Sequence, residues 1–449
     1  MKSGRTGLNL AALLAAISLL ALSGCGGGGS GPSGVASSTT CDLASQDNWL
    51  RSYMQDWYFW SGASPNPDPT GYDTLQKYFD ALLFTGSGAV PADRWSYISD
   101  SASYNQFFQE GTTLGYGIFV NGLELQLPLK LRFVEAQSPA ASQGLARGDV
   151  ILAVNGRPAA ELIAANDFSA LNPSQQGDTL TLQIASGAGS RNVTLTAANY
   201  TLTPVPVARV LTLANGSRAG YLVVKDFITQ AETPLATAFQ DFRAARATEL
   251  ILDLRYNGGG RISTANVLAS LMAGSAQDGK LFTRLSYSAK QSSHNTGYTL
   301  SASAPGFSRV VVLTGQRTCS ASELIVNGLK PYLQVVTVGE TSCGKPFGFN
   351  PATSCDKTFS AVNFEALNSR NEGRYYDGIA ATCKVAENFS GQLGDPSETL
   401  TAAAASYLQS GTCPAVATVA TRSARELSTS RRTANSSREP GVWSDMWAD

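Results

Sequence analysis

The sequence predicts an α/β protein of several domains, and three observations carry that expectation. At 449 residues the chain is about three times a typical domain length. From about Arg209 onward, apolar strand runs alternate with helical patterns, the signature of a largely parallel sheet covered by helices. Two upstream stretches break that alternation, one helical in its spacing and one of period two, so the α/β core carries a small helical N-terminal domain and a β-rich domain.

Composition narrows the chemistry. Hydrophobic residues make up 43% and charged residues 15%, with a net charge of −1. That is a globular balance without the basic field that nucleic acid or an anionic surface requires, so no nucleic-acid partner is expected. Only one histidine is present, His294, in a polar stretch that reads as surface. Metal clusters and Ser/His/Asp triads both draw on imidazole, so no metal or organic cofactor is expected and a serine nucleophile here needs another base.

The elements follow in order. Lys2 and Arg5 precede an apolar run from Leu8 to Leu22, too short for a membrane span and typical of an export signal. The run closes on Leu22-Ser23-Gly24-Cys25, which resembles a bacterial lipoprotein lipobox; the resemblance implies removal of residues 1–24 and a lipid on Cys25. Residues 25–40 are a Gly/Ser/Thr-rich tether. The expected location is therefore the bacterial envelope, facing the periplasm or exterior, with glycine at position 26 favouring the outer membrane. In an exported chain the remaining cysteines, at 41, 319, 343, 355, 383 and 413, are expected to form disulfides, and the sequence leaves their pairing open.

Residues 41–98 place Trp49, Leu50, Tyr53, Met54 and Trp57, then Leu75, Tyr78, Phe79, Leu82 and Leu83, at helical spacing on either side of a proline-rich breaker. Residues 99–205 turn to period two, with Leu125, Leu127, Leu129, Leu131 and Phe133 predicting one strand. Ser138-Pro139-Ala140-Ala141 reads as a capped helix start, and Gly148-Asp149 leads through an apolar run to an Asn155-Gly156 turn. These segments resemble a PDZ domain of the bacterial protease type, which implies a peptide-binding loop at Gly115-Tyr116-Gly117-Ile118. In residues 206–413, strands at Gly220–Lys225, Leu250–Leu254, Val310–Leu313 and Val335–Val338 alternate with helical stretches, and Ser320 falls at a strand-to-helix corner. From Pro414 the composition turns to Ala, Thr, Ser and Arg, apart from Trp443 and Trp447, and a disordered tail is expected.

Backbone N–H groups at a helix start stabilise an alkoxide and an oxyanion, and a buried lysine can serve as base when burial lowers its pKa. Lys345, beside Gly344 at the end of the next strand, is placed for that task. Three ordered motifs carry a wider likeness. Asp253-Leu254-Arg255-Tyr256-Asn257-Gly258-Gly259-Gly260, Ser320-Ala321-Ser322-Glu323 and Gly339-Glu340 through Gly344-Lys345 resemble those of the C-terminal processing peptidases, or tail-specific proteases. The separation of 25 residues between Ser320 and Lys345 agrees with that family. The resemblance implies a crotonase/ClpP-like core with an inserted PDZ domain, protein or peptide substrates, a Ser320 nucleophile, a Lys345 base, and an oxyanion hole from Ala321 and Gly259. One departure stands out: the family's glutamine four residues after the lysine is Phe349 here, so no third member is assigned. Glu365 reads as an exposed strand carboxylate. A catalytically silent peptide-binding lipoprotein is the alternative.

With those roles in place, a Cys319–Cys343 bridge would join the nucleophile turn to the base loop and close about 25 residues, worth about 3.5 kcal/mol in the chain-entropy model. Cys41–Cys413 and Cys355–Cys383 are then the pairings expected by elimination. Oligomeric state and the identity of the substrate are not legible in the sequence.

Overall fold

The computed structural model describes residues 37–38, 40–186, 189–415 and 446–447. Its centre is a six-stranded sheet in which Val207–Thr212 forms an antiparallel hairpin with Arg218–Val223. Glu249–Asp253, Arg309–Thr314, Gln334–Gly339 and Cys383–Lys384 then follow in parallel, in that order. Alternation along the strands divides two cores. Leu250, Leu252, Val310 and Val312 face the helices Glu232–Ala244, Ile262–Ala273 and Ala321–Leu329. Ile251, Val311, Leu313, Val336 and Val338 face Leu400, Ala404 and Leu408 of the helix Thr399–Ser410. A sheet buried on both faces has strands that read as continuous apolar runs, and these do.

The stretch of β structure forms a domain with its own core, from Tyr116 to Ala197. Its sheet runs from Ile118–Val120 at one edge through Leu129–Val134, Val150–Val154 and Thr179–Ser186 to Gly189–Thr196. Ser138 caps Pro139–Ser142 by accepting the Ala141 N–H at 3.2 Å. Asn155 and Gly156 both hold positive φ, 50° and 78°, in the turn after Val150–Val154, as a tight primed hairpin turn demands. Two expectations change here. The predicted strand through Leu125 and Leu127 begins only at Leu129, because Pro128 has no N–H to donate; Leu127 lies 61% exposed in the preceding loop. Residues Ser101–Asn105 and Gln106–Glu110 are helical rather than extended, burying Tyr104, Phe107 and Phe108 against Tyr200, Leu202 and Ile228.

The N-terminal helices Leu43–Trp57 and Leu75–Leu82 form as their spacing predicts. Their core is not their own, however: Tyr53, Trp57, Tyr78 and Phe79 share it with Phe347, Ala352, Phe359 and Val362, nearly 300 residues downstream. Tyr97–Asp100 pairs antiparallel with Lys357–Ser360 in the same unit. Of the expected disulfides, Cys319–Cys343 is present with a Cα–Cα separation of 5.1 Å. The other two are exchanged relative to expectation, as Cys41–Cys355 and Cys383–Cys413. The first helix docks on the hairpin of Ala352–Ser354 and Lys357–Ser360, which carries Cys355 to Cys41. Cys383, on the last sheet strand, lies beside the end of the helix Thr399–Ser410 and meets Cys413 there.

The signal segment, Cys25 and most of the tail lie outside the described residues. Within the stretch expected to lack order, Met446–Trp447 forms a short strand parallel to Gly260–Arg261. Among the described residues no helix is long and apolar enough to cross a membrane.

Candidate active site

The strand Arg309–Thr314 ends in a turn that delivers Ser320 to the start of the helix Ala321–Leu329. Ser320 holds φ 61° and ψ −117°, a conformation that L-residues rarely adopt and that the surroundings must enforce. Its residue is wholly buried, and its hydroxyl has no hydrogen-bond partner among the described residues. Lys345 is 1% exposed. Gly344 before it has φ +83°, and a Cβ there would fall 2.1 Å from the Tyr376 carbonyl oxygen, so only glycine lets this loop pass.

Glu323 joins these two corners. Its buried carboxylate accepts the Ser320 N–H at 3.0 Å and the Lys345 N–H at 2.8 Å on the same oxygen, Oε2. The other oxygen accepts the Gly344 N–H at 2.8 Å and the Ser342 hydroxyl. Burial pushes this carboxyl above its ordinary pKa, and the four donors pull the other way by favouring the charged form. The Cys319–Cys343 bridge adds a covalent link one residue before Ser320 and two before Lys345. Sequence reading recognised Glu323 only as part of a motif; a buried acidic residue three positions into a helix was the signal available for its role.

The glycine turn is fastened to the same place. The Asn257 carbonyl accepts the Cys319 N–H at 3.1 Å and the Ser322 hydroxyl at 3.0 Å. Its side chain donates to the Val224 carbonyl at 3.0 Å and accepts the Gly259 N–H at 2.7 Å. The expected oxyanion donor Gly259 is thus engaged within its own turn, whereas the Gly258 N–H has no hydrogen-bond acceptor among the described residues. Ala321 opens its helix, where an N–H has no partner within the helix itself.

Behind the turn, Arg255 is fully buried among carboxylates. It reaches Asp253 at 3.0 Å, Glu387 at 2.8 Å and Glu398 at 2.7 and 3.0 Å. Arg147 of the PDZ-like domain joins through Glu387 at 2.6 Å. Burial opposes the charge on Glu387, but the two guanidiniums beside it hold its pKa down at about 2. Asp253 and Arg255 thereby brace the glycine turn against the last helix, whose N-cap is Glu398. Glu387 and Glu398 are site-supporting residues that no local motif marks.

Other candidates are placed as follows. Phe349 puts its ring 4.2 Å from the Lys345 ammonium, a cation–π contact where the resemblance would have had an amide. Glu365, expected to be exposed, is instead buried on its strand and pairs with Arg374 at 3.0 and 3.1 Å. His294 is exposed, its ring tilted against Trp57 at a centroid distance of 4.9 Å. Gly115, Tyr116, Gly117 and Ile118 are buried in a loop at the edge strand; the Tyr116 carbonyl accepts the Ala140 N–H at 3.0 Å and the Gly117 carbonyl the Glu135 N–H at 2.9 Å. Trp95 of the N-terminal unit donates to the Gly344 carbonyl at 3.0 Å, so the helical domain supports the loop that carries Lys345.

A parallel core with a helix-start serine, a glycine turn and a PDZ-like domain defines a class, and comparison with known proteins identifies its domains. Residues 218–385 match the model of peptidase family S41, residues 45–97 the peptidase S41 N-terminal domain and residues 107–185 the PDZ domain. The chain thus carries a peptidase S41 domain, preceded by an S41 N-terminal domain and a PDZ domain. It is 29% identical over 226 residues to a carboxyl-terminal-processing protease of Picosynechococcus, covering 50% of this chain and 51% of that one. The chain thus spans about half the length of the curated relatives it matches. A solved Bacteroides fragilis structure assigned to the S41 proteases superposes with a TM-score of 0.64 at 25% identity, over 81% of this chain and 97% of that one. The photosystem II D1 C-terminal processing protease shares the fold, with a TM-score of 0.50 at 17% identity over 77% of this chain and 94% of that one.

Proposed function

We propose that this protein is a serine endopeptidase acting on exported or envelope proteins through a Ser320/Lys345 dyad. The observation that carries the reading is one carboxylate oxygen of Glu323 holding the backbone N–H of both residues. In the proposed reaction Ser320 Oγ attacks the peptide carbonyl while Lys345 Nζ takes its proton. The N–H groups of Ala321 and Gly258 receive the oxyanion, Gly258 replacing Gly259 because the latter serves Asn257. Lys345 returns the proton to the leaving amine, and water then hydrolyses the acyl-enzyme with Lys345 as base again. The sheet-terminal strand Ile118–Val120, beside the loop Gly115–Ile118, takes substrate termini or apolar segments by strand addition.

Hydrolysis of an unfolded protein such as casein tests the dyad. Ser320→Ala abolishes turnover with the thermal midpoint retained, and Lys345→Arg does nearly the same because a guanidinium stays protonated. Turnover by Ser320→Ala at the parent rate would remove the assignment. We also propose that a lipid on Cys25 holds the protein at a bacterial membrane, most readily the outer membrane. Its test is fractionation: Cys25→Ser moves the protein into the soluble exported fraction, and continued pelleting after a high-salt wash contradicts it.

A further inference from the structure

The strand Met446–Trp447 runs parallel to Gly260–Arg261, with Met446 opposite Gly260 and Trp447 opposite Arg261. Its backbone also comes close to Phe347–Gly348. These two neighbours are not arbitrary: Gly260–Arg261 continues directly from the glycine turn, and Phe347–Gly348 follows Lys345 by two residues. The segment therefore lies between the extensions of the two loops that frame the proposed dyad.

The other edge of Gly260–Arg261 is already taken. The Arg261 N–H donates to the Phe227 carbonyl at 2.7 Å, and Gly260 with φ +133° leaves no space for a Cβ, which would fall 2.2 Å from the Phe227 carbonyl oxygen. Only the edge facing Met446–Trp447 remains for a ligand strand, and an unpaired strand edge beside a nucleophile binds extended peptide through main-chain hydrogen bonds. A second observation agrees: Ser320 is 0% exposed, so the site is covered.

We infer that the segment containing Met446–Trp447 is an intramolecular competitor of the substrate, seated by strand addition along Gly260–Arg261. The inference rests on the peptidase reading, and it assigns the groove a ligand class, an extended peptide paired as Met446-Trp447 is. About 35 residues separate Met446 from the last helix, and at about 3.3 Å each they give ample reach for docking in cis. A tether of this kind presents its ligand at an effective concentration up to the millimolar range.

The test uses the full chain and its Met446→Pro/Trp447→Pro double variant, since proline cannot donate to a ladder. With an internally quenched peptide substrate the variant shows a KM lowered by at least ~5-fold at unchanged kcat. A synthetic peptide of residues 441–449 inhibits it competitively. Amide hydrogen exchange at Gly260 and Arg261 is faster in the variant than in the parent, which reports release of the strand without any assay of turnover. Unchanged KM, or failure of the peptide to compete, or unchanged exchange, overturns the inference. Fluorescence anisotropy of the labelled peptide on the variant carrying Ser320→Ala separates the two readings. Binding there without hydrolysis by any form removes the peptidase reading and keeps the groove; hydrolysis by the parent without binding does the reverse.

Discussion

A buried carboxylate that accepts four hydrogen bonds has little freedom left, and Glu323 spends all of its capacity on the loops of Ser320 and Lys345. Replacing one oxygen by an amide NH2 sets donor against donor at that junction. Glu323→Gln is expected to lower kcat about 100-fold, the scale of a 1 Å misplacement, with KM changed little. It should also reduce stability by about 1–3 kcal/mol, the cost of buried groups left unsatisfied. Paired kinetics and denaturant titration check this: a KM effect larger than the kcat effect would make Glu323 a substrate contact instead of a positioning residue. The motif that contains Glu323 was legible in the sequence. Its partners were not, because Ser342 and Gly344 reach it only when the strand Gln334–Gly339 lies beside the helix start.

At the scale of elements, the Lys345 loop and the Ser320 turn are joined twice, by the Glu323 carboxylate and by the Cys319–Cys343 disulfide. If the bridge is part of what fixes lysine against serine, either cysteine alone is enough to lose it. Cys319→Ser and Cys343→Ser are therefore expected to lose activity to similar extents, and the double variant should be no worse than either, since one shared bond gives non-additive effects. Additive losses, or alkylation of either cysteine in native unreduced enzyme, would contradict the shared bond. Strand and helix identities in the core followed from their periods, and the observed limits differ from the expected ones by only a few residues. The helical turns Ser101–Asn105 and Gln106–Glu110 escaped notice because their buried aromatics are only Tyr104, Phe107 and Phe108, too few to show a period.

At the scale of the molecule, the PDZ domain meets the peptidase domain through buried charge. Glu135 lies among Lys225, Asp226 and the Thr203 N–H. Burial raises its pKa to about 7 from an ordinary 4.5, with Asp226 adding to the rise and Lys225 opposing it. A raised folded-state pKa means that the native protein binds the proton more tightly than the unfolded chain. The associated stability is complete below about pH 4.5 and is lost as pH rises through about 7, on the order of 3 kcal/mol. Glu340, also raised to about 7 by burial, acts in the same direction. Thermal midpoints are thus expected to fall between pH 5 and pH 8, and Glu135→Gln should flatten part of that fall; an unchanged slope in the variant would separate Glu135 from it.

What the sequence determined by itself was local or ordered along the chain: the helical, period-two and alternating regions, the PDZ-like punctuation, and three motifs whose order and spacing pointed to a serine and a lysine. Period and turn chemistry act over a few residues, so they survive in a linear reading. Tertiary structure decided what depends on closure across the chain. It paired Cys41 with Cys355, 314 residues away, where elimination had paired it with Cys413. It gave the N-terminal helices a core shared with residues around Phe347, set Arg255 among carboxylates from the far end of the catalytic domain, and committed the Gly259 N–H to Asn257. It also brought Met446–Trp447 to the edge of Gly260–Arg261. Each of these contacts is selected by which surfaces remain unpaired once the sheet and its helices are assembled, and no local pattern encodes that.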